Sequence, residues 1–472
     1  MAIYTILMPH QLQVVDFMIQ NKVTYNGIFA DFGVGKSLMA LAYLNKPRFQ
    51  KVLVISSKTA ISSTWVDEIR THTDFEFAFL AGSRMQRLTN LSMGLRRIYS
   101  QNKKKPFIFL LNFDGVHSIF LELCKTRFDM IIIDESTKIK SIRTSRTKAV
   151  IKLGSYIKHR AILTGFPVTE NLSDIYAQIK FLDQGKAFGQ SYHGFLNKYF
   201  VKIGMGIYPK KKGAEEIIRA IKPFCIRITN KELKLPPVVK KIVHLEPSVQ
   251  QAKLLKSLYE LMRVEFGKIQ IDTTYIFVLI SKAMQICSGF LKESDEHDEE
   301  GNIIKKGTHI ETFETSKDDA LFDILDEINL DQNKVIIWCT FKQSVRKLYK
   351  LLKGVGYTPL LLTGATQDVN SVVSKFQHDK KTRVLIAIQK KASESITLTA
   401  SNHAIYYENS YSNDQRLNSE ARIRRKGSEI HKSIFYTDLC IKNSIEEKII
   451  KCLHNKSGLV NSLKEEFLKE YR

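Results

Sequence analysis

The stretch Gly27–Ser37, GIFADFGVGKS, constrains this chain more than any other. A short apolar strand runs into a turn bearing Gly33 and Gly35. Lys36-Ser37 follows, then a helix-like run from Leu38 to Leu44. A strand, a glycine turn and a helix N-terminus together surround an anion with backbone N–H groups, and phosphate oxygens fit that cradle. In such a loop Lys36 reaches the β/γ-phosphates of ATP and the Ser37 hydroxyl holds Mg²⁺. Ala30 stands where this motif has its first Gly, and its small side chain still permits a tight turn. The alternative is an ordinary strand–turn–helix; the preceding strand and following helix favour the nucleotide reading.

The rest of the first half supports a parallel sheet. Pro9–Ile19 reads as a helix with Leu12, Val15, Phe17 and Ile19 partly buried. Gln11 on that helix either presents its amide, donor and acceptor together, to an adenine edge or is a solvated helix residue. Apolar strands are predicted at Val52–Ser56, Phe107–Asn112, Met130–Asp134 and Ala161–Thr164, with helical patterns between them. Strand–helix alternation predicts an α/β fold with a parallel sheet covered on both faces. Functional residues then collect beyond the C-terminal strand ends, where Lys36, Ser57, Asn112, Asp134, Glu135 and Thr164 fall.

MIIIDES, Met130–Ser136, is an apolar strand that ends in two consecutive carboxylates. A Mg-nucleotide site needs such a pair: Asp134 to hold the metal, directly or through water, and Glu135 to polarise the attacking water. Alone, the pair would read as the start of a surface loop. After a phosphate loop in the same predicted sheet, it reads as catalytic.

Charge narrows the partners. The chain of 472 residues has 72 Lys+Arg against 48 Asp+Glu, a net charge of +24. Such a balance points to a polyanion, nucleic acid above all. The six cysteines are scattered without a CxxC pair, which argues against a zinc site or a disulfide framework and fits a reducing cytoplasm. No basic-then-apolar leader is evident at the N-terminus, and apolar runs such as Phe107–Phe113 are too short to span a bilayer.

A third stretch, Leu163-Thr164-Gly165-Phe166-Pro167, makes a resemblance specific. AD.G.GKS, DES.KIK and LTG.P, in that order, resemble motifs I, II and III of superfamily 2 helicase-like ATPases, nearest the Swi/Snf-type branch. Phe166 replaces the usual Thr of motif III, and Ser136-Thr137 replace the Ala-His after the acidic pair. Phe224–Arg227 and Leu235-Pro236-Pro237 resemble the segment that closes the first motor lobe. In the second half, strands are predicted at Val335–Cys339, Leu360–Leu362, Val384–Ile388, Ala404–Tyr407 and Ile434–Thr437. KVIIWCTF resembles motif IV. Ser393–Leu398 sits where the family has GxGLNL, with Ser393 and Ser395 at the glycine positions. EARIRRKG, Glu420–Gly427, resembles motif VI, with Asn418 in place of the family Gln.

The resemblance implies two RecA-like parallel-sheet lobes with a mainly helical insertion between them. The expected bounds are 1–237 for lobe 1 (helical and basic after about 171), 238–315 for the insertion and 316–472 for lobe 2. Leu254, Leu255, Leu258, Leu261 and Met262 read as core of the insertion, and the acidic run Glu293–Glu300 as a surface hairpin rather than a metal site at His297. The implied cofactors are ATP and Mg²⁺. Gln11, Gly33, Gly35, Lys36 and Ser37 would bind ATP, and Ser37 and Asp134 the metal. Lys36, Asp134, Glu135, Arg422 and Arg425 would be catalytic, the two arginines as fingers that neutralise charge on the transferring phosphoryl group, worth on the order of 10³–10⁵ in rate. Weaker candidates for nucleic-acid contact are Ser57, Lys58, Asn112, Thr340, Thr363 and Thr397.

The expected protein is a DNA-stimulated ATPase of the cytoplasm, not a secreted or membrane one. It would translocate on single-stranded, duplex or branched DNA and remodel forks or branches, as a phage or bacterial repair motor would. The alternatives are an RNA helicase and a non-catalytic ATP-gated clamp. The first lacks the DExD sequence of one RNA-helicase branch, since DEST occurs here; the second does not need the catalytic set.

Overall fold

The structure is a computed structural model. It describes residues 4–455 except 32, 46–48, 63, 101–104, 169–170, 204–205, 230–232, 262, 267–268, 273–275, 294–295, 298–302, 306 and 394–395. The side chains of Leu261, His297 and a few others are likewise outside the description. The chain divides into two compact units, Met1–Leu235 and Pro236–Arg472.

The first unit is built on a seven-stranded sheet. Its strands are β1 (Tyr25–Ala30), β2 (Lys51–Ser56), β3 (Glu76–Phe79), β4 (Phe107–Asn112), β5 (Met130–Asp134), β6 (His159–Thr164) and β7 (Cys225–Ile228). They lie in the order β3-β4-β2-β5-β6-β1-β7, and every pairing is parallel. The alternating pleat explains the continuous apolar runs. Leu53, Ile55, Phe107, Phe109, Ile131 and Ile133 point into one core, while Val52, Val54, Ile108, Leu110, Met130 and Ile132 point into the other. Helices cover both faces, so each strand is buried on both sides. The four predicted strands all occur. The edge strands β3 and β7, four residues each, carry too little periodicity to be read from sequence.

The first helix, Pro9–Gln20, corrects one expectation. Its buried side is His10, Gln11, Val14, Val15 and Met18, whereas Leu12 and Ile19 are exposed. Positions 11, 14, 15 and 18 lie on one face at helical spacing, so the polar Gln11 is carried inward with the apolar set.

The second unit has six parallel strands: β8 (Val238–Leu245), β9 (Val335–Cys339), β10 (Leu360–Leu362), β11 (Val384–Ile388), β12 (His403–Tyr406) and β13 (Ile434–Ile441). Their order is β8-β13-β12-β9-β11-β10. The segment 238–315, read from sequence as an insertion, opens with β8, which pairs with β13 along its full length. Its helices Val249–Leu261 and Ile276–Cys287 share a core with the last helix, Ile445–Asn455, through Leu254, Leu258, Met284, Ile445 and Ile449. Within the acidic stretch, Glu296–His297 pairs with Ile303–Lys305; Met262 and the side chains of Leu261 and His297 lie outside the described residues. Among the described residues, no helix is long and apolar enough to cross a membrane.

A buried ion pair and a half-buried histidine mark the second unit. Lys317, fully buried, bonds Glu446 Oε1 at 2.5 Å and the Tyr407 carbonyl at 2.8 Å. Lys317→Met strands a buried carboxylate and is expected to cost about 3–5 kcal/mol, with most of it recovered by adding Glu446→Gln. Denaturant unfolding of the single and double variants checks this.

His403 stacks on Phe435 with centroids 4.7 Å apart, and burial pushes its pKa from 6.5 down to about 4. The unfolded chain therefore takes up a proton that the folded chain refuses between those values. Stability is expected to fall as pH drops from 6.5 toward 4, and His403→Gln should flatten that slope in pH-dependent thermal unfolding.

Candidate active site

The neighbouring strands β5, β6 and β1 bring three sequence-predicted groups to one edge of the first sheet. Parallel pairing puts the C-terminal ends of all three strands there. The phosphate-loop candidate follows β1, the acidic pair ends β5, and Thr164 ends β6.

Gly33 and Gly35 have φ of 82° and 86°, a left-handed conformation that suits glycine. Gly35 is also the N-cap of the helix Lys36–Leu44, and a Cβ there would lie 2.4 Å from Gln11 Nε2. Ala30, by contrast, is a paired strand residue (Ala30↔Ile228) without positive φ, which explains why no glycine is needed at that position. The helix Pro9–Gln20 grips the loop from outside. Gln11 Nε2 donates to the Val34 carbonyl at 3.0 Å, His10 Nε2 lies 3.2 Å from the same oxygen, and Gln11 Oε1 accepts the Met8 N–H at 3.0 Å. Gln11 is thus a buried brace for the loop and not a solvated residue; each polar atom of its amide retains a further hydrogen-bonding valence. Lys36 Nζ donates to the carbonyls of Ala30 at 2.8 Å and Asp31 at 3.3 Å, which folds the side chain over the loop. Ser37 is half-buried in the first turn of the helix.

Asp134 is buried and held by three donors. Ser56 Oγ and Trp65 Nε1 each bond its Oδ2 at 3.0 Å, and the Glu135 N–H bonds its Oδ1 at 3.0 Å. Glu135 has φ 54° and ψ 57°, a left-handed conformation costing a non-glycine residue about 1–2 kcal/mol. It caps the 3-10 helix Ser136–Ile139. Ser136 Oγ donates to Gln178 Oε1 at 2.6 Å, and Gln178 Nε2 donates to the Pro167 carbonyl at 2.6 Å. The Ser after the acidic pair therefore ties that pair to the Gly165-Phe166-Pro167 turn. Thr164 Oγ1 is buried at the end of β6 without a hydrogen-bond partner among the described residues.

Sequence reasoning passed over four residues here: Ser56, Trp65, Gln178 and Arg227. Arg227, on β7, donates to the Gly165 carbonyl and to Asp31, and its guanidinium lies 5.2 Å from the Phe166 ring centroid. Phe166 thus offers a cation–π face where the family has Thr. The signal available was Arg227 within the quoted closing segment; its reach across β1 to Gly165 becomes visible only with the strand order.

Among the described residues, the other first-unit candidates lie at or just after strand ends without a bond to the phosphate loop. Ser57 Oγ accepts the Ala60 N–H at 3.2 Å, Lys58 is exposed, and Asn112 Oδ1 accepts from Arg87 at 3.2 Å.

In the second unit, Arg422 is buried, with bonds to the Asn418 carbonyl and Oδ1, both at 3.1 Å, and to the Ile396 carbonyl at 3.2 Å. Arg425, half-buried, meets the same Ile396 carbonyl at 3.2 Å. The pair therefore converges beside Thr397. Asn418 holds Arg422, which gives the replacement of the family Gln a role. The neighbouring Arg416 is sequestered with Asp438 and Asn409, a structural pairing. Thr340 and Thr363 follow the ends of β9 and β10. The Thr340 N–H donates to Glu408 at 2.7 Å while its Oγ1 is buried without a partner, and Thr363 Oγ1 accepts the Ala365 N–H at 3.2 Å. Glu394 and Ser395 lie outside the described residues.

Comparison with known proteins places this geometry in context. Residues 10–298 match the SNF2-related domain, and residues 316–427 match the helicase conserved C-terminal domain. A Bacillus subtilis protein named as an ATP-dependent helicase/translocase, YwqA, is 24% identical over 454 residues, covering 91% of this chain and 45% of that protein. The DNA repair and recombination protein RDH54 of Saccharomyces cerevisiae is 23% identical over 382 residues, covering 76% of this chain and 40% of that protein. The chain spans less than half the length of these relatives. The solved SWI2/SNF2 ATPase core of Sulfolobus solfataricus in complex with dsDNA is 21% identical, covers 96% of this chain and 92% of its own, and superposes with a TM-score of 0.44.

A direct test of the loop is Gly35→Ala. The added Cβ meets Gln11 Nε2 and sits at a strained φ, so the loop must rearrange. Binding of ADP, measured by calorimetric titration, is expected to weaken about five- to thirtyfold, since roughly 1–2 kcal/mol of backbone strain falls on the cradle itself.

Proposed function

Because the chain belongs to the SNF2-related family, we propose that it is an ATP-driven DNA translocase whose nucleotide site is the edge formed by β1, β5 and β6. The observation that carries this reading is the pairing of a left-handed glycine loop at a helix N-terminus with a carboxylate locked at the neighbouring strand edge.

The residues fit Mg-ATP. Phosphate oxygens are met by N–H groups of the loop and of the helix start, with the Lys36 ammonium folded over the same loop. Gln11, Gly33, Gly35, Lys36 and Ser37 form the ATP cradle, with Gln11 offering its remaining valences to the adenine edge. Asp134 uses three of about four acceptor positions, which leaves one for a metal or its water. Ser37 and Asp134 would hold Mg²⁺. Among the described residues no cluster of three or more His, Cys, Asp or Glu forms a metal cage. Mg²⁺ held by one carboxylate, a hydroxyl and phosphates needs none. When bound, Mg²⁺ neutralises charge on the β- and γ-oxygens.

Glu135 orients and polarises the attacking water, and the left-handed backbone that its neighbours impose fixes where its carboxylate leaves the strand. Arg422 and Arg425 supply the guanidinium charge for the transferring phosphoryl group. Ser57, Lys58, Asn112, Thr340, Thr363 and Thr397 contact backbone phosphates, a mode without sequence code that suits stepping along DNA. The basic surface supports the polyanion. The task that best fits this reading is remodelling or branch migration of forked DNA in replication, recombination or repair.

The experiment is steady-state ATP hydrolysis with no polymer, single-stranded DNA, duplex, forks, four-way junctions and RNA. Stimulation by DNA, strongest with branched forms, is the expected outcome; stimulation by RNA alone would overturn the substrate. Lys36→Ala should abolish turnover while salt-sensitive DNA binding persists, and retained turnover would overturn the assignment of the loop.

A further inference from the structure

A two-stranded ribbon stands outside the seven-stranded sheet of the first unit. Phe200–Ile203 pairs antiparallel with Gly206–Pro209, in the register Phe200↔Pro209, Val201↔Tyr208, Lys202↔Ile207 and Ile203↔Gly206. An isolated ribbon is marginal in water, so its persistence needs an anchor. The base supplies one. Phe200 is buried against Phe195 at 5.4 Å, within a cluster that includes Tyr199 and Phe188. The Lys210 N–H donates to the Tyr199 carbonyl at 2.9 Å, and Lys210 Nζ bonds the Asn197 carbonyl at 2.7 Å.

Beyond that base the ribbon is exposed where a globular surface would be polar. Val201 is 42% and Ile203 59% exposed, and period-two alternation puts both on one face. Lys202 is exposed on the other face, beside its pairing partner Ile207, which is 38% exposed. Charge around the ribbon is of one sign: no Asp or Glu occurs between Asp183 and Glu215, while Lys186, Lys198, Lys202, Lys210, Lys211 and Lys212 do. Lys198, Lys202, Lys210, Lys211 and Lys212 are all exposed.

We propose that this ribbon is a nucleic-acid contact that reads the end of a base stack, with Val201 and Ile203 against the exposed base face at a duplex–single-strand junction and the lysines on the flanking phosphates. The positive charge selects an anionic partner over a neutral or basic one. The aliphatic pair selects a nucleic acid that presents bare base faces, because duplex DNA hides its bases except where stacking is interrupted. The proposal rests on the DNA-motor reading and adds to it the part of the chain that distinguishes forks from linear duplex.

The test uses the full chain, with two DNAs of equal length, a fork and a linear duplex, and reads both binding by fluorescence anisotropy and ATP turnover. Val201→Ser/Ile203→Ser is expected to lower the fork-over-duplex affinity ratio by about tenfold, the loss of roughly 1.4 kcal/mol of apolar burial, with linear-duplex-stimulated turnover kept. Lys211→Ala/Lys212→Ala is expected to weaken both DNAs alike and to reduce the salt slope by about 2. An unchanged fork-over-duplex ratio in the first variant, with turnover intact, would overturn the ribbon's role and leave the motor standing. Equal loss of turnover on both DNAs would overturn it too, by making the ribbon merely structural. A wild-type chain stimulated by no DNA would overturn the motor, and the ribbon with it.

Discussion

Parallel pairing is the constraint on which everything else in this molecule depends. Each of the two large sheets runs all its strands in one direction, so every strand delivers its C-terminal residue to the same edge of its own sheet. Crossover helices bury both faces, which leaves the edge as the place where polar groups can meet a ligand. Lys36, Asp134, Glu135 and Thr164 are gathered from distant parts of the sequence by this rule alone, because β5, β6 and β1 are adjacent.

What the edge then requires is fixed positions for charged groups. Asp134 has three donors, one from β2, one from the helix Thr64–His72 and one from its own neighbour. The phosphate loop is braced by Gln11 and His10 at Val34. Arg227 links Asp31 to the Gly165 carbonyl, and Gln178 links Ser136 to Pro167. The departures from the family motifs make local sense in these contacts. Phe166 stacks under Arg227, Ser136 bonds Gln178, Ala30 completes a strand, and Asn418 holds Arg422.

Much of this was legible in the sequence, for a physical reason. Buried parallel strands are uninterrupted runs of Val, Ile, Leu and Phe, so Met130–Asp134, Phe107–Asn112 and Val335–Cys339 announce both their extent and the polar residue that ends them. The glycine loop is equally plain, since positive φ at Gly33 and Gly35 leaves few other choices. The supporting residues were not legible. Trp65, Gln178 and Arg227 act across strand neighbours whose order the chain does not spell out. For Gln11 the sequence left an adenine-edge amide and a solvated helix residue open, and its burial with amide partners at Met8 and Val34 rules out the solvated one. β8 was missed as part of the second sheet because Lys240, Lys241 and His244 mask the short alternation of an edge strand.

The central claim is that the loop between β1 and its helix holds a nucleotide's phosphates while Asp134 holds the metal. The most direct measurement is a structure of the chain with Mg²⁺ and a non-hydrolysable ATP analogue. The account predicts the β-phosphate among the N–H groups of residues 33–37, Lys36 turned toward the phosphates, and Asp134 facing the ion. A nucleotide bound elsewhere, or phosphates that leave the loop empty, would contradict it.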